Sequence, residues 1–152
     1  MKYPFIAAML SACAVASNAE PMDPLGEHRW NHRVLIAFAN DAADSRAGTL
    51  RTSLAEASCE LGDRDIVIGW ILSEGASRVG EVAVSDEIAA SLRSGLGIQP
   101  GEFAVLLIGK DGGVKARYGD VPALSAVFAL IDGMPMRRSE MRSSPSGCSG
   151  QD

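Results

Sequence analysis

The chain has 152 residues, of which 47% are hydrophobic and 22% are charged, an ordinary composition for one soluble globular domain. Its formal net charge is −5 at pH 7. Such an acidic balance argues against a nucleic-acid partner, because those partners are held mainly through phosphate contacts with Lys and Arg. Composition therefore favours a single domain that acts on something other than nucleic acid.

Residues 1–19 have the pattern of a signal peptide. Lys2 gives a positive start, and the apolar run over residues 5–15 is too short to span a bilayer. Small side chains before the bond between Ala19 and Glu20 fit cleavage by a signal peptidase at that bond. The sequence therefore predicts an exported protein, either periplasmic or secreted.

A second processing pathway stays open at Cys13. The residues Leu-Ser-Ala before Cys13 fit the lipobox of bacterial lipoproteins, in which the cysteine is lipidated and becomes the new N-terminus. On this alternative the protein is a lipid-anchored envelope protein, an outer-membrane lipoprotein. Both pathways predict that the mature chain has no transmembrane segment.

After a lead-in over residues 20–32, hydrophobic periodicity predicts alternating strands and helices. Continuous apolar runs predict three strands that are buried on both faces, at residues 33–39, 64–72 and 103–109. Segment 114–118 alternates after a tight-turn signal and predicts a fourth strand, antiparallel to the third. Apolar residues at helical spacing predict three helices, with stripes that begin at Leu50, Ile88 and Leu124.

The predicted element order is β-α-β-α-β-β-α, an α/β fold with a four-stranded mixed sheet and helices on both faces. This is the arrangement of the thioredoxin core, and it extends over residues 33–142. Residues 143–152 are rich in Ser and Gly without hydrophobic periodicity, and are therefore predicted to form a disordered tail.

Three segments carry a more specific resemblance. They are His28-Arg29-Trp30 before the first strand, LIGKDGGVK over residues 107–115, and IDGMPMRRSEM over residues 131–141. Together they resemble the domain of unknown function DUF4174, over residues 24–142. That family occurs as small exported bacterial proteins and inside animal extracellular-matrix proteins. The resemblance therefore implies a thioredoxin-like fold and export, and it implies no established reaction.

Thioredoxin-type redox chemistry needs a Cys-x-x-Cys at the start of the helix after the first strand, where the helix N-terminus stabilises a thiolate. This chain has Asn40, Asp41 and Asp44 in that loop and no thiol, so dithiol exchange by that route is excluded. The loop still lies at the carboxyl end of a central strand, where α/β folds bind ligands. These three residues are therefore candidates for the binding surface of a non-redox binding or structural module.

Two cysteines stay in the chain after cleavage at Ala19, and three interpretations are open for Cys59 and Cys148. They can form a disulfide in an oxidising compartment, which would contribute about 4 kcal/mol by closing a long loop. Cys59 can instead be a thiol covered by a neighbouring loop. The third interpretation is a single-cysteine redox or antioxidant enzyme, which is disfavoured because Cys59 has no neighbouring His and does not begin a helix.

Arg29, Trp30 and Lys110 are further candidates for the binding surface. Trp30 lies among basic residues, where it either seals the edge of the sheet or provides a platform for a ligand. Lys110 begins a Lys-Asp-Gly-Gly turn between two strands, so a hairpin is favoured over a phosphate-binding loop.

Arg137 is the last candidate, and it follows the final predicted helix together with Arg138. Three roles are open for this pair of arginines. They can complement the negative end of the helix, pair with an acid such as Asp65 or Asp132, or bind an anion. The first role is favoured because cations are common at the carboxyl ends of helices.

His28 and His32 are four residues apart, with Glu27 beside the first. On a helix this spacing would present two imidazoles to one metal ion, but Pro24 and the strand that begins at Arg33 leave little room for a helix. A pair of surface histidines is therefore favoured. The sequence predicts no metal and no cofactor, and the expected partner is an unknown protein or small ligand in the cell envelope.

Overall fold

A computed structural model of the protein describes residues 22–145 together with residues 147 and 148. The predicted signal peptide, its cleavage site and Cys13 lie outside the described residues. The described strands and helices are, in chain order, β1 (Arg33–Ala39), α1 (Ser45–Glu56), α2 (Ser58–Asp63), β2 (Ile66–Leu72), β3 (Ser77–Val79), β4 (Val82–Val84), α3 (Asp86–Leu96), β5 (Ala104–Ile108), β6 (Val114–Tyr118), α4 (Leu124–Asp132) and α5 (Pro135–Ser143). A short 3₁₀ turn, Gly26–His28, precedes β1.

The strands form one mixed sheet in the order β4-β3-β2-β1-β5-β6. Its central strand is β1, which pairs in parallel with β2 and antiparallel with β5. All seven residues of β1 are buried, as expected for a strand that is covered on both faces. Because β5 is antiparallel to β1, the chain that follows β5 lies beside the amino end of β1.

Two hydrophobic layers flank the sheet, because successive side chains of a strand point to opposite faces. The odd-numbered apolar residues of β1 belong to a layer with Leu50 of α1 and Ile131 of α4. The even-numbered residues belong to a second layer with Ala89 of α3 and with Ile98. The predicted mixed α/β sheet with helices on both faces is therefore confirmed.

The predicted count of four strands is wrong, because the sheet has six. The additional strands β3 and β4 form a hairpin beside β2. Each has three residues, too few for an alternating pattern to be recognisable in the sequence. The turn between them contains Gly80 with φ 57°, a conformation that glycine adopts readily.

Two helix boundaries also differ from the prediction. The predicted helix that contains Leu50 and Cys59 is divided at Ala57, so that Cys59 lies in the short α2. Arg137, which was predicted to follow the final helix, lies inside a further helix, α5, whose first residue is Pro135, where a missing N–H is tolerated. The predicted tail from residue 143 thus begins at the end of α5. No helix in the described part of the chain is long and apolar enough to cross a membrane.

Candidate functional site

The seven candidate binding residues lie at opposite ends of the sheet. Three follow the carboxyl end of β1, in what we call the loop end: Asn40, Asp41 and Asp44. Four lie around the amino end of β1, with the turn after β5 and with α5, in what we call the motif end: Arg29, Trp30, Lys110 and Arg137. The structure therefore does not bring the seven candidates into one site.

The loop end is closed by hydrogen bonds among its own residues and α1. Asp41 Oδ1 accepts from the backbone N–H of Ala43 at 2.8 Å, and Asp41 Oδ2 accepts from the Asn40 amide at 2.9 Å. Arg51 of α1 donates to the Ala42 carbonyl oxygen at 3.0 Å. The polar side chains of Asn40 and Asp41 are thus engaged within the loop.

Asp44 lies directly before α1, where a thioredoxin-type enzyme would need its thiolate. It caps the helix, since Asp44 Oδ1 accepts the backbone N–H of Arg46 at 2.9 Å. The Arg46 guanidinium also donates to both carboxylate oxygens, at 3.1 and 2.9 Å. The hydrogen bond from this side chain holds the pKa of Asp44 below its usual value, so the group is ionised at neutral pH. A capped and paired carboxylate provides no thiol chemistry.

The two cysteines of the described residues are bonded to each other. The sulfur atoms of Cys59 and Cys148 are 2.08 Å apart and their Cα atoms are 5.8 Å apart, as in an ordinary disulfide. The bond joins α2 to the chain beyond α5, at a sequence separation of 89. Cys59 is the second residue of the six-residue α2, so the expectation that it does not begin a helix is wrong, but its sulfur is held in the disulfide. Within the described residues there is no free thiol.

At the motif end, Glu140 of α5 binds two cations of the sheet. Arg33 is 1% exposed and donates to both oxygens of Glu140, at 3.1 and 3.2 Å. Lys110 Nζ lies 2.8 Å from Glu140 and 2.7 Å from Asp65. Burial acts to raise the pKa of Glu140, but the hydrogen bonds from Arg33 and Lys110 outweigh it and hold the pKa below its usual value. These contacts fix α5 to the start of β1.

A second group of ion pairs joins α5 to α2 and α4. Arg137 is 3% exposed, and its guanidinium contacts the carboxylates of Asp63 and, at 3.2 Å, Asp132. Arg64 donates to Asp132 through two hydrogen bonds of 3.0 and 2.7 Å. Burial acts to raise the pKa of Asp132, but hydrogen bonds from Arg64 and Arg137 outweigh it and lower this pKa. Pairing of Arg137 with Asp132, one of the roles left open by the sequence, is thus present.

Arg137 also lies 3.7 Å from Glu140, which joins the two groups. Together they form one ion-pair cluster, whose members are Arg33, Asp63, Arg64, Asp65, Lys110, Asp132, Arg137 and Glu140. The cations and carboxylates in the cluster are equal in number, so its charge is balanced internally. Lys110 and Arg137 are buried in it. Both position α5 through these contacts, and Lys110 also forms part of the wall of a neighbouring cleft.

Arg29 and Trp30 hold the turn after β5 against the start of β1. The backbone N–H of Trp30 donates to the Lys110 carbonyl oxygen at 2.6 Å, and Arg29 Nε donates to the Asp111 carbonyl oxygen at 3.2 Å. Gly112 has φ 83°, and a Cβ at this position would lie 2.9 Å from Arg29 Nε. The backbone conformation therefore favours glycine at the turn of the LIGKDGGVK segment, while the Arg29 side chain could shift to make room for a Cβ.

Backbone strain is concentrated at the same end. Among the residues that the structure describes, Trp30 with φ 70° and Asp65 with φ 50° are the two non-glycine residues with positive φ. Lys110 contacts both, through its carbonyl oxygen and its ammonium group. Strained residues that a surrounding network holds in place are typical of functional sites. The side chain of Trp30 is 64% exposed, which is unusual for tryptophan in a folded domain.

A cleft of about 350 Å³ opens beside the ion-pair cluster. It is lined by Lys110, Lys115 and the segment Met134, Pro135 and Met136, with part of Arg33. Met136 is 43% exposed. Methionine side chains adapt to irregular partner surfaces, so this wall of the cleft is suited to apolar contact.

The structure also brings His28 and His32 together without the helix that the sequence argument required. The backbone N–H of His32 donates to the His28 carbonyl oxygen at 2.8 Å, which closes a turn through Trp30. The two Nδ1 atoms are 3.4 Å apart. Burial lowers the pKa of His28 and the neighbouring His32 lowers it further, while Glu27 acts in the opposite direction. No group of three or more His, Cys, Asp or Glu side chains in the described residues is arranged to hold a metal ion.

The family model of the domain of unknown function DUF4174 matches residues 24–140. The chain belongs to this family. The match begins before His28 and ends at Glu140, so the whole ion-pair cluster and the turn around Gly112 lie inside the DUF4174 region. The three segments that suggested the family from sequence therefore meet at one place in the fold.

Two proteins are similar to this DUF4174 chain over about three quarters of its length. Coiled-coil domain-containing protein 80 of Danio rerio is 27% identical over 133 residues, which cover 77% of the chain. Sushi repeat-containing protein SRPX2 of Xenopus laevis is 28% identical over 122 residues, which cover 76% of the chain. The chain spans 15% of the first protein and 27% of the second, so the similarity concerns one part of each.

A solved structure is similar to the DUF4174 chain in fold. It is the crystal structure of reduced 2-Cys peroxiredoxin from Plasmodium vivax, with a TM-score of 0.57 over 76% of this chain and 84% of that one. The two sequences are 13% identical, so the likeness shows the fold alone. It confirms the thioredoxin-like fold predicted from the order of strands and helices.

Sequence reasoning on this DUF4174 chain does not single out Arg33, Asp63, Arg64 or Glu140 as site residues. One signal was available, because Arg33 is the charged first residue of a strand that is otherwise wholly apolar. A guanidinium at the start of such a strand needs acceptors when it is buried. Its partner Glu140 is 107 residues away along the chain, so the sequence alone does not identify it.

Proposed function

We propose that the protein is an exported binding module of the cell envelope, built on a thioredoxin-like domain that performs no thiol catalysis. The main support for the proposal is that Asp44 occupies the position before α1, where it caps the helix and pairs with Arg46. A helix N-terminus that is occupied by a carboxylate has no thiol to activate. The two cysteine sulfur atoms of the described residues, those of Cys59 and Cys148, are bonded to each other.

Export is the second part of the proposal. It is supported by the signal-peptide pattern of residues 1–19 and by the disulfide, which is a bond of oxidising compartments. The test is the intact mass of the protein recovered from its host. A chain that begins at Glu20 supports the proposal, and a diacylglycerol adduct on Cys13 supports the lipid-anchored alternative. A chain that keeps residues 1–19 contradicts both.

The binding surface in this proposal is the exposed part of the motif end, with Trp30, Met136 and the adjoining cleft. Exposed tryptophan is common among the residues that dominate binding energy at interfaces, and methionine adapts to varied apolar partners. The charges of the ion-pair cluster are already paired, so a small anion would find no free counter-ion there. These features favour a protein partner that inserts an apolar side chain.

Affinity retention from the native envelope tests the location of this surface. The Trp30→Ala and Met136→Ala variants are expected to retain the specific partner about tenfold less or worse, the effect of removing a hot-spot side chain. The matched control replaces residues 40–44 by Gly and Ser, and it is expected to retain the partner. If the loop variant loses the partner and the Trp30 and Met136 variants keep it, the binding surface lies at the loop end. If all variants retain the partner equally, the motif end is not the binding surface.

Catalytic assays test the absence of thiol chemistry. Insulin reduction and peroxide consumption by the purified protein should equal those of a Cys59→Ser, Cys148→Ser double variant, with and without prior reduction. Activity that the wild type shows and the double variant lacks would instead support the single-cysteine enzyme. Labelling of the reduced protein across a pH series would then show whether Cys59 has the low thiol pKa that such an enzyme needs.

A further inference from the structure

We propose that His28 and His32 together bind one divalent transition-metal ion, with the remaining coordination positions open to water or to a ligand from outside the chain. Its two ligands are distinct from the side chains of the proposed partner surface, although Trp30 lies between them in the chain. It would take a metal of the kind that imidazole prefers, namely zinc, copper or nickel.

The separation of the two rings is the first observation. Zinc binds imidazole nitrogen at about 2.0–2.1 Å, and two such nitrogens at the tetrahedral angle are about 3.3–3.4 Å apart. His28 Nδ1 and His32 Nδ1 are 3.4 Å apart. The same distance allows a hydrogen bond from one imidazole to the other in the metal-free protein, and a metal ion would replace the shared proton. The ring planes meet at 79°, so the rings are not stacked against each other.

The backbone holds both histidines in place. His28 and His32 are joined by the turn hydrogen bond of 2.8 Å, and Trp30 between them is anchored to Lys110. Directly after His32, the backbone N–H of Arg33 donates to the Asp65 carbonyl oxygen at 2.9 Å. A chelating pair that is fixed before the metal arrives loses less conformational freedom on binding.

The second nitrogen of His28 leaves its tautomer open. His28 Nε2 is buried without a hydrogen-bond partner, so no acceptor on that side determines where the proton lies. Nδ1 can present its lone pair toward His32 and a metal ion when Nε2 carries the proton, and because this N–H has no acceptor the site lacks the outer-shell hydrogen bond that usually strengthens a histidine ligand. Because the chain supplies two ligands, the bound metal is expected to be exchangeable, with Cu²⁺ bound more tightly than Zn²⁺.

The experiment uses the purified untagged protein with Cu²⁺ and Zn²⁺, followed by calorimetry and by electron paramagnetic resonance of the copper form. We expect one ion per chain and a copper spectrum with hyperfine coupling from two imidazole nitrogens. The chain has two histidines, so His28→Gln and His32→Gln test every imidazole in it. Because even an outer-shell substitution costs about tenfold or more in metal affinity, each variant should lose at least that much.

Glu27→Gln is the matched control, since it changes an adjacent carboxylate and leaves both imidazoles. It should bind copper with unchanged stoichiometry and nitrogen coupling. Three results would overturn the proposal: unchanged copper affinity in either histidine variant, coupling of the copper to a single nitrogen in the wild type, or an equal loss of copper affinity in Glu27→Gln. If a histidine variant is unfolded, zinc titration of the wild type decides instead: the NMR signals of both imidazoles should shift together, and a shift of one ring alone contradicts the site.

Discussion

The loop end and the motif end of the same sheet are stabilised in different ways. At the loop end, Asp41 and Asp44 accept hydrogen bonds from residues two positions further along the chain. At the motif end, Arg33 reaches Glu140 across 107 residues of sequence, and Arg64 reaches Asp132 across 68. The side-chain hydrogen bonds of the loop end are local, although the Asn40 carbonyl oxygen also accepts from the backbone N–H of Glu74 at 2.7 Å. The side-chain contacts of the motif end instead join segments that are far apart in the sequence. In this chain, the position that thioredoxin-type enzymes use for thiol chemistry is a turn with local side-chain bonds. The long-range contacts involve residues of the LIGKDGGVK and IDGMPMRRSEM segments.

The largest expected effect is that of Glu140→Ala. It leaves the buried Arg33 guanidinium without its carboxylate, and breaking a buried ion pair from one side costs about 3–5 kcal/mol of unfolding free energy. Urea denaturation measures the loss. The control is Glu81→Ala, which removes an exposed pair with Arg78 and should change stability by about 0.5 kcal/mol or less. Similar losses in the two variants would contradict the distinction between buried cluster and surface pair.

Removal of the disulfide is expected to have the next largest effect. Cys148→Ser should lower the unfolding free energy by about 2–4 kcal/mol, since it frees a long loop in the unfolded chain. Reductant should lower the stability of the wild type by a similar amount and leave the variant unchanged. A variant as stable as the wild type would indicate that the bond does not stabilise the protein by restricting the unfolded chain.

Acid should weaken the motif end through Glu140 and Asp132. Both have a folded-state pKa below the ordinary values of 4.5 and 3.8, so they bind protons more readily in the unfolded chain. Their contribution to stability is therefore present above these values and disappears as the pH falls through the folded-state pKa values. Urea midpoints measured from pH 7 to about pH 3 should fall below about pH 4.5, near the ordinary Glu value. The fall should be shallower in Glu140→Gln, and an identical profile would remove Glu140 as a cause.

The smallest expected effect is at the loop end. Asp44→Ala removes the cap of α1 and should cost about 1 kcal/mol. Asp44→Asn keeps a side-chain acceptor for the Arg46 N–H and loses only the charge pair with the half-buried Arg46, so it should be closer to the wild type than Asp44→Ala. Thermal denaturation of the three proteins measures both differences. A loss in Asp44→Ala as large as that in Glu140→Ala would show that the loop end is coupled to the whole fold.

The sequence predicted those parts of the molecule that depend on local pattern. Residues 33–39 form β1 as predicted, because an unbroken apolar run is a strong signal for a strand buried on both faces. The division of the first helix at Ala57 was not predicted, because no glycine or proline marks it in the sequence. The loop end was likewise found from its position after β1. The ion-pair cluster was not found from the sequence, because charged residues that pair between distant segments follow no periodic pattern in a single sequence.

The strand order has a consequence for how the protein associates. Its two edge strands are β4, which has three residues, and β6, which carries Lys115 and Arg117. Short edges and charged side chains both discourage another chain from extending a sheet. The protein is therefore expected to remain free of edge-to-edge aggregates at high concentration. A partner that recognises it would then do so through side chains, and not by adding a strand.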